Sequence, residues 1–167
     1  MGKIKKTKKE TLCRSCKKGK LVSILDLGSM PPANAFLNKN NLRNKEKLFP
    51  LRVAVCPHCM LVQLQDMVDP CALFSRDYYY FTGASGPLTK HFEDFGKRLV
   101  KDFSLTKNDL VVEMGSNDGV LLSAILPNAR VLGVDPATNV GKEAQKRGVP
   151  TLQAFFNEKL IQRLFGL

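Results

Sequence analysis

Apolar positions change their period along this chain, and each change marks an element. Leu88, Phe92, Phe95, Leu99 and Phe103 recur every three or four residues, with Lys90, Glu93, Asp94, Lys97, Arg98 and Lys101 elsewhere on the wheel. That spacing predicts an amphipathic helix of about four turns that packs on a core, with His91 at the flank of its apolar stripe. Glu93 with Lys97, and Asp94 with Arg98, add weak i,i+4 support. Next, Leu110–Glu113 reads as a buried strand running through a Gly-Ser-Asn-Asp-Gly bend into a helix that starts at Val120. Val131–Val134 predicts a second strand, Asn139–Arg147 a polar helix closed by Gly148, Thr151–Phe156 a third strand, and Asn157–Phe165 a helix capped by Asn157. Strand-helix alternation with short loops argues a parallel sheet with helices on both faces. Three strands are too few to bury both faces of a central one. Upstream, Leu21–Leu27 alternates weakly toward a strand, and Gly28–Asn34 holds two prolines and reads as loop. Lys39–Lys47 is a polar surface excursion, Phe49–Val55 a strand, and Leu61–Leu64 its partner.

Composition bounds this picture without redrawing it. The 167 residues fit one domain or two small ones, and 44% hydrophobic with 25% charged residues is ordinary for a globular protein. No apolar run approaches a membrane span, and the lysine-rich start has no apolar core after it, so neither a transmembrane helix nor a signal peptide is indicated. A cytoplasmic protein is the default expectation. The formal charge is +11, of which +8 lies in residues 1–20. A basic tail over residues 1–12 can bind nucleic acid through phosphates, but a short terminal lysine run is more often simply solvated.

Cysteine spacing adds the first chemistry. Cys13 and Cys16 form one C-x-x-C, Cys56 and Cys59 another, with 39 residues between the pairs. Two such knuckles supply four thiolates for a tetrahedral zinc and leave no open coordination position, so the metal is structural. Gly19 after the first pair and Pro57 inside the second are consistent with tight turns. Residues 13–69 are therefore expected to form a zinc-ribbon-like module. His58 is expected to be exposed or to lie just outside the ligands. Cys71, behind a helix start at Asp69 and Pro70, is expected to be a buried free thiol.

The bend carries the second chemistry. Gly115 and Gly119 allow backbone to approach a ligand, and the helix start behind them offers free N–H groups. Asp135 ends the next strand, where a carboxylate can accept both hydroxyls of a ribose. The bend lacks the G-x-G-x-x-G arrangement of dinucleotide sites. Glu113 before the glycine and Asp118 after it would repel a pyrophosphate but suit the ammonium and sulfonium of S-adenosylmethionine, which is favoured over a dinucleotide. Residues 77–86, DYYYFTGASG, hold all three tyrosines of the chain. Their hydroxyls can serve a substrate as acid or base, and packing between modules is an equal alternative.

Taken in order, CRSC, LGSMPPANAFL, FPLRVAVCPHC with LVQL, DYYYFTGAS, VVEMGSNDGVLL and VLGVDPATNV with GVPTLQAFF make this chain resemble the C-methyltransferases of nucleotide-linked deoxysugars. In those enzymes a zinc-binding N-terminal domain precedes an S-adenosylmethionine-binding domain. The resemblance covers nearly everything from Cys13 onward. It implies transfer of the sulfonium methyl to a sugar carbon beside a ketone, through an enolate. It matches Cys13, Cys16, Cys56 and Cys59 to zinc ligands, and Glu113, Gly115, Asn117, Asp118, Gly119 and Asp135 to cofactor positions. The tyrosine segment matches the family's active-site one, with Tyr80 and then Tyr78 as catalytic candidates. The expected fold is α/β: the zinc-ribbon-like module, a linker and amphipathic helix over residues 70–106, and over 107–167 the incomplete start of a Rossmann-like class I methyltransferase sheet. The family's later strands, its Glu and His for proton transfer, and its C-terminal domain have no counterpart here. The chain is therefore expected to be a fragment or shortened product that binds zinc but holds the cofactor weakly, with a missing C-terminal segment or partner chain completing the site. The alternative is a zinc ribbon that binds nucleic acid through its basic end, without enzymatic activity.

Overall fold

The computed structural model describes residues 7–74 and 78–166. Residues 1–6 of the basic tail and Asp77 of the tyrosine segment lie outside the described residues. Contacts divide the chain into two compact units, Met1–Leu73 and Phe74–Leu167.

The first unit contains β1 (Lys8–Lys9), β2 (Val22–Met30), β3 (Phe49–Val55), β4 (Val62–Leu64), β5 (Asp66–Met67) and the short helix α1 (Pro70–Leu73). β2, β3 and β4 form an antiparallel sheet in that order, and β1 pairs with β5. Strand β3 runs as its alternation predicts. β2 is longer than expected and takes in Gly28–Met30, because register shifts after Ser23 and Asp26 let an irregular strand stay paired through the glycine. Arg52 grips the buried Asp66 carboxylate with Nε and a second guanidinium nitrogen at 2.8 and 2.5 Å, joining β3 to β5. That guanidinium holds Asp66 below the usual carboxylate range. At α1 the Asp69 side chain accepts the Cys71 N–H at 3.0 Å, as the cap reading expects. Cys71 itself is exposed rather than buried, since one four-residue turn has no second layer to cover it.

The second unit contains α2 (Gly86–Asp102), β6 (Leu110–Met114), α3 (Val120–Ile125), β7 (Arg130–Val134), α4 (Thr138–Lys146), β8 (Thr151–Leu152) and α5 (Glu158–Phe165). The three strands are parallel, in the order β6-β7-β8. The third strand is shorter than its pattern suggests: Ala154 N–H bonds back to the Leu152 carbonyl at 3.1 Å, turning the chain out of the ladder. Asn157 caps α5 by accepting the Leu160 N–H at 3.0 Å.

Alternation alone leads one to expect helices on both faces of this sheet. One buried cluster gathers Leu99 and Val100 of α2, Leu122 and Ile125 of α3 and Ala144 of α4 around Val111 and Val131, which are register partners on one face. On the opposite face of β6, Leu110 and Met114 are 39% and 64% exposed. Among the described residues β6 has β7 as its one ladder partner, so its other edge is free.

Gly119, at φ 75°, starts α3 with a left-handed residue, and a Cβ there would stand 2.9 Å from that of Ala144. Gly119→Ala is expected to lower the stability of the second unit by about 2 kcal/mol, from left-handed strain and overpacking together. Guanidinium unfolding followed by tyrosine fluorescence measures it, because all three tyrosines belong to this unit and the chain has no tryptophan.

Candidate functional site

The metal centre is built from two knuckles of matching design. In each, the N–H of the residue following the second cysteine's C-x-x-C reaches back to the first cysteine's carbonyl: Lys17 to Cys13 at 3.1 Å, Met60 to Cys56 at 2.8 Å. Lys17 and Met60 both adopt left-handed backbone, φ 59° and 60°. They close turns in which Pro57 also lies, and Gly19 leaves room for Cys56 Sγ, into which a Cβ there would run. The turns bring Cys13, Cys16, Cys56 and Cys59 together with their four sulfurs within 4.8 Å of one another. Cys13–Cys59 and Cys16–Cys56 approach to 3.6 Å. A zinc–sulfur bond of about 2.3 Å puts tetrahedral sulfurs roughly 3.8 Å apart, so the donor set and its spacing fit zinc.

The electrostatics point the same way. Burial pushes the Cys13 thiol up, but N–H groups of Cys16 and Ser15 and the Gln63 amide outweigh it and hold it at about 6. A hydrogen bond from the Leu61 backbone favours the Cys59 thiolate, yet burial and the three neighbouring sulfurs push it up to about 11. Four thiolates cannot share this space unaided, and a dication removes the repulsion. Gln63, missed in the sequence, supports the centre: its Nε2 donates to Cys13 Sγ at 3.3 Å while its Oε1 accepts Arg14 N and Nε at 3.1 and 3.2 Å. His58 is exposed, as expected.

In the second unit β6 delivers Glu113 to a cavity of about 80 Å³ lined by Thr82, Phe92, Gly115, Ser116, Asn117, Val120 and Leu121. One Glu113 oxygen, Oε2, is buried there with no hydrogen-bond partner among the described residues, and so is Ser116 Oγ. Burial, and then the Asp135 carboxylate, push Glu113 up to about 7. The cavity has room for two or three water-sized groups, which suits an ammonium-sized cation rather than a whole nucleoside.

Of the remaining expected cofactor positions, Gly115 and Asn117 line this same cavity. Asp135 is turned to the bend, where Oδ2 accepts Asn117 N–H at 2.9 Å and Oδ1 accepts Ala137 N–H at 2.8 Å. Asp118 turns away from the cavity: Oδ2 accepts Gly83 N–H at 3.0 Å and pairs with Arg147 at 3.3 Å. Its Oδ2 is thus partnered, while Oδ1 is buried with no hydrogen-bond partner among the described residues; of the two carboxylates thought to flank the bend Glu113 alone lines the cavity. Gly115 lies in the bend with N–H bonded to the Val134 carbonyl at 2.8 Å, and Gly119 serves packing. Tyr78 to Tyr80 form no strand; Tyr78 packs on Phe74 with ring centroids 5.7 Å apart and planes tilted by 54°, and Tyr79 and Tyr80 are about half exposed. Phe92 was legible only as part of an apolar stripe, and nothing in the sequence marked Arg147.

Comparison with known proteins bears on both units. Residues 13–74 match the family described as "Putative zinc binding domain". C-methyltransferase NovU of Streptomyces niveus is 36% identical over 153 residues, which is 91% of this chain and 36% of that protein. The chain therefore spans about a third of the length of this relative. The four-cysteine centre lies inside the matched domain, and the relationship runs on through most of the second unit. The chain thus carries a match to this zinc-binding domain in its first unit and is similar to a C-methyltransferase over nine-tenths of its length.

Proposed function

We propose that this chain supplies the zinc-stapled unit and the methyl-donor half-site of an S-adenosylmethionine-dependent C-methyltransferase acting on a nucleotide-linked keto-deoxysugar. The observation that carries the cofactor reading is the buried Glu113 Oε2, unpartnered among the described residues, in a cavity of ammonium size. A cation there meets a buried carboxylate oxygen, and Ser116 Oγ in the same wall offers a further acceptor. When bound, S-adenosylmethionine supplies a methyl group made electrophilic by its sulfonium. Glu113 would hold the positive amino end, and Asp135 keeps the bend in shape by taking the N–H groups of Asn117 and Ala137.

C-methylation beside a ketone requires an enolate, hence a base that removes the α-proton. Tyr80 and Tyr78 are the proton-handling candidates on this chain. Glu143 and Glu158 both lie on helices α4 and α5, Glu143 already paired with Lys146. The base, and a strand to pair with the free edge of β6, would come from a further segment or a partner chain.

Calorimetry tests the reading. The 167-residue chain is expected to bind S-adenosylmethionine more weakly than micromolar, and to bind a nicotinamide dinucleotide more weakly still. Micromolar binding of the methyl donor overturns the half-site claim, and preference for the dinucleotide overturns the cofactor class.

A further inference from the structure

The stretch from Tyr78 to Gly83 carries the catalytic candidates, and between Tyr78 and Phe81 it has no regular secondary structure. Backbone polar groups outside helices and sheets need partners from elsewhere, and here three side chains supply them. Asn139 of α4 accepts the Tyr78 N–H at 3.1 Å and donates to the Tyr78 carbonyl at 2.7 Å. Asn117 of the bend accepts the Thr82 N–H and hydroxyl at 2.9 and 3.3 Å and donates to the Tyr80 carbonyl at 2.9 Å. Asp118 accepts the Gly83 N–H.

We propose that Asn117 and Asn139 are positioning residues that clasp the tyrosine segment onto the glycine bend, so that the donor cavity and the tyrosines are set by one piece of structure. Its functional meaning rests on the methyltransferase reading above; its geometry does not. Each asparagine presents a donor and an acceptor to the segment, which a carboxylate cannot do. Asn117 is also held at φ 50°, a left-handed strain spent on aiming this side chain. With its N–H on Asp135 and its amide on Tyr80 and Thr82, Asn117 joins the tyrosine segment to the wall of the donor cavity that it also lines. Gly83 lets the segment lie close: a Cβ there would stand 2.6 Å from Asp118 Oδ2.

The chain has three tyrosines, all at 78–80, and no tryptophan, so its intrinsic fluorescence reports on this segment alone. Acrylamide quenching is measured on the full chain and on Asn117→Asp and Asn139→Asp, which keep side-chain size but lose the donor and set a carboxylate against a carbonyl. Asn128→Asp, which adds the same charge in an exposed turn, is the control. The quenching constant is expected to rise about twofold in both clasp variants with far-UV dichroism unchanged, to stay put in the control, and to recover in part in Asn139→Gln. Should one variant fail to fold, the other reads the opposite end of the same clasp. Quenching equal to the parent chain in the folded variants overturns the proposal. Because the measurement needs no ligand, failure to bind S-adenosylmethionine in calorimetry counts against the cofactor reading and leaves the clasp standing.

Discussion

Withdrawal of metal by a strong chelator is expected to unfold the first unit completely while the second stays folded. The reason is how little else that unit buries. Among its described residues the fully buried apolar side chains are Cys13, Ala54 and Cys56, and two of those three are metal ligands. All nine residues of β2 are exposed, with Ile24 at 56% and Leu27 at 50%. A module of this size without an apolar core needs a staple, and structural zinc supplies on the order of 10 kcal/mol in comparable peptides. Cys56→Ser should act like the chelator, because a neutral hydroxyl replaces a thiolate at a fully buried position, whereas Cys71→Ser should change nothing. Metal analysis is expected to give one zinc per parent chain. Amide exchange at Val53–Val55 checks the outcome: protection there that survives chelation would show that the sheet stands without metal.

The second large effect concerns Glu113 and has an unusual sign. Its carboxyl is held at about 7 in the folded protein, above the ordinary glutamate value near 4.5. The folded state therefore binds its proton more tightly than the unfolded state does. This costs nothing below the ordinary value, grows as pH rises toward 7, and is complete above it. The full shift would convert to about 3 kcal/mol, and the side chain's partial exposure reduces that to about 2 kcal/mol. Glu113→Gln is thus expected to stabilise the second unit by about 2 kcal/mol at pH 8 and to leave it unchanged at pH 4.5. Denaturant unfolding read by tyrosine fluorescence at the two pH values measures the difference. Equal effects at both would show that packing, not charge, governs the site. The same substitution should weaken binding of a cationic ligand by roughly tenfold or more, since a buried countercharge is lost. A residue that destabilises the empty fold and favours a cation is placed for binding rather than for stability.

Both effects begin in features that are local in sequence. C-x-x-C spacing fixes two sulfurs within one turn, and the run from Leu110 to Val120 specifies strand, bend and helix without help from the rest of the chain. Cys13, Cys16, Cys56, Cys59 and Glu113 could therefore be named from the sequence, as could helix α2 from its apolar stripe. The left-handed positions of the knuckles, Lys17 and Met60, could not, because nothing in lysine or methionine announces left-handed backbone.

The direction of a side chain at the end of a strand or within a bend is set by what the fold brings opposite it. Asp118 turns to Arg147 and Gly83, 29 and 35 residues away, and Asn139 reaches Tyr78 across 61. Such pairs leave no period and no motif. The sequence by itself determined which chemistry this protein contains: four sulfurs for a metal, and an acidic strand end beside a glycine bend. Tertiary structure alone decided which carboxylate lines the cavity and which takes an arginine on one of its oxygens. The reason is that burial and countercharge are properties of the assembled neighbourhood, while a carboxylate in an extended chain is equally hydrated wherever it stands.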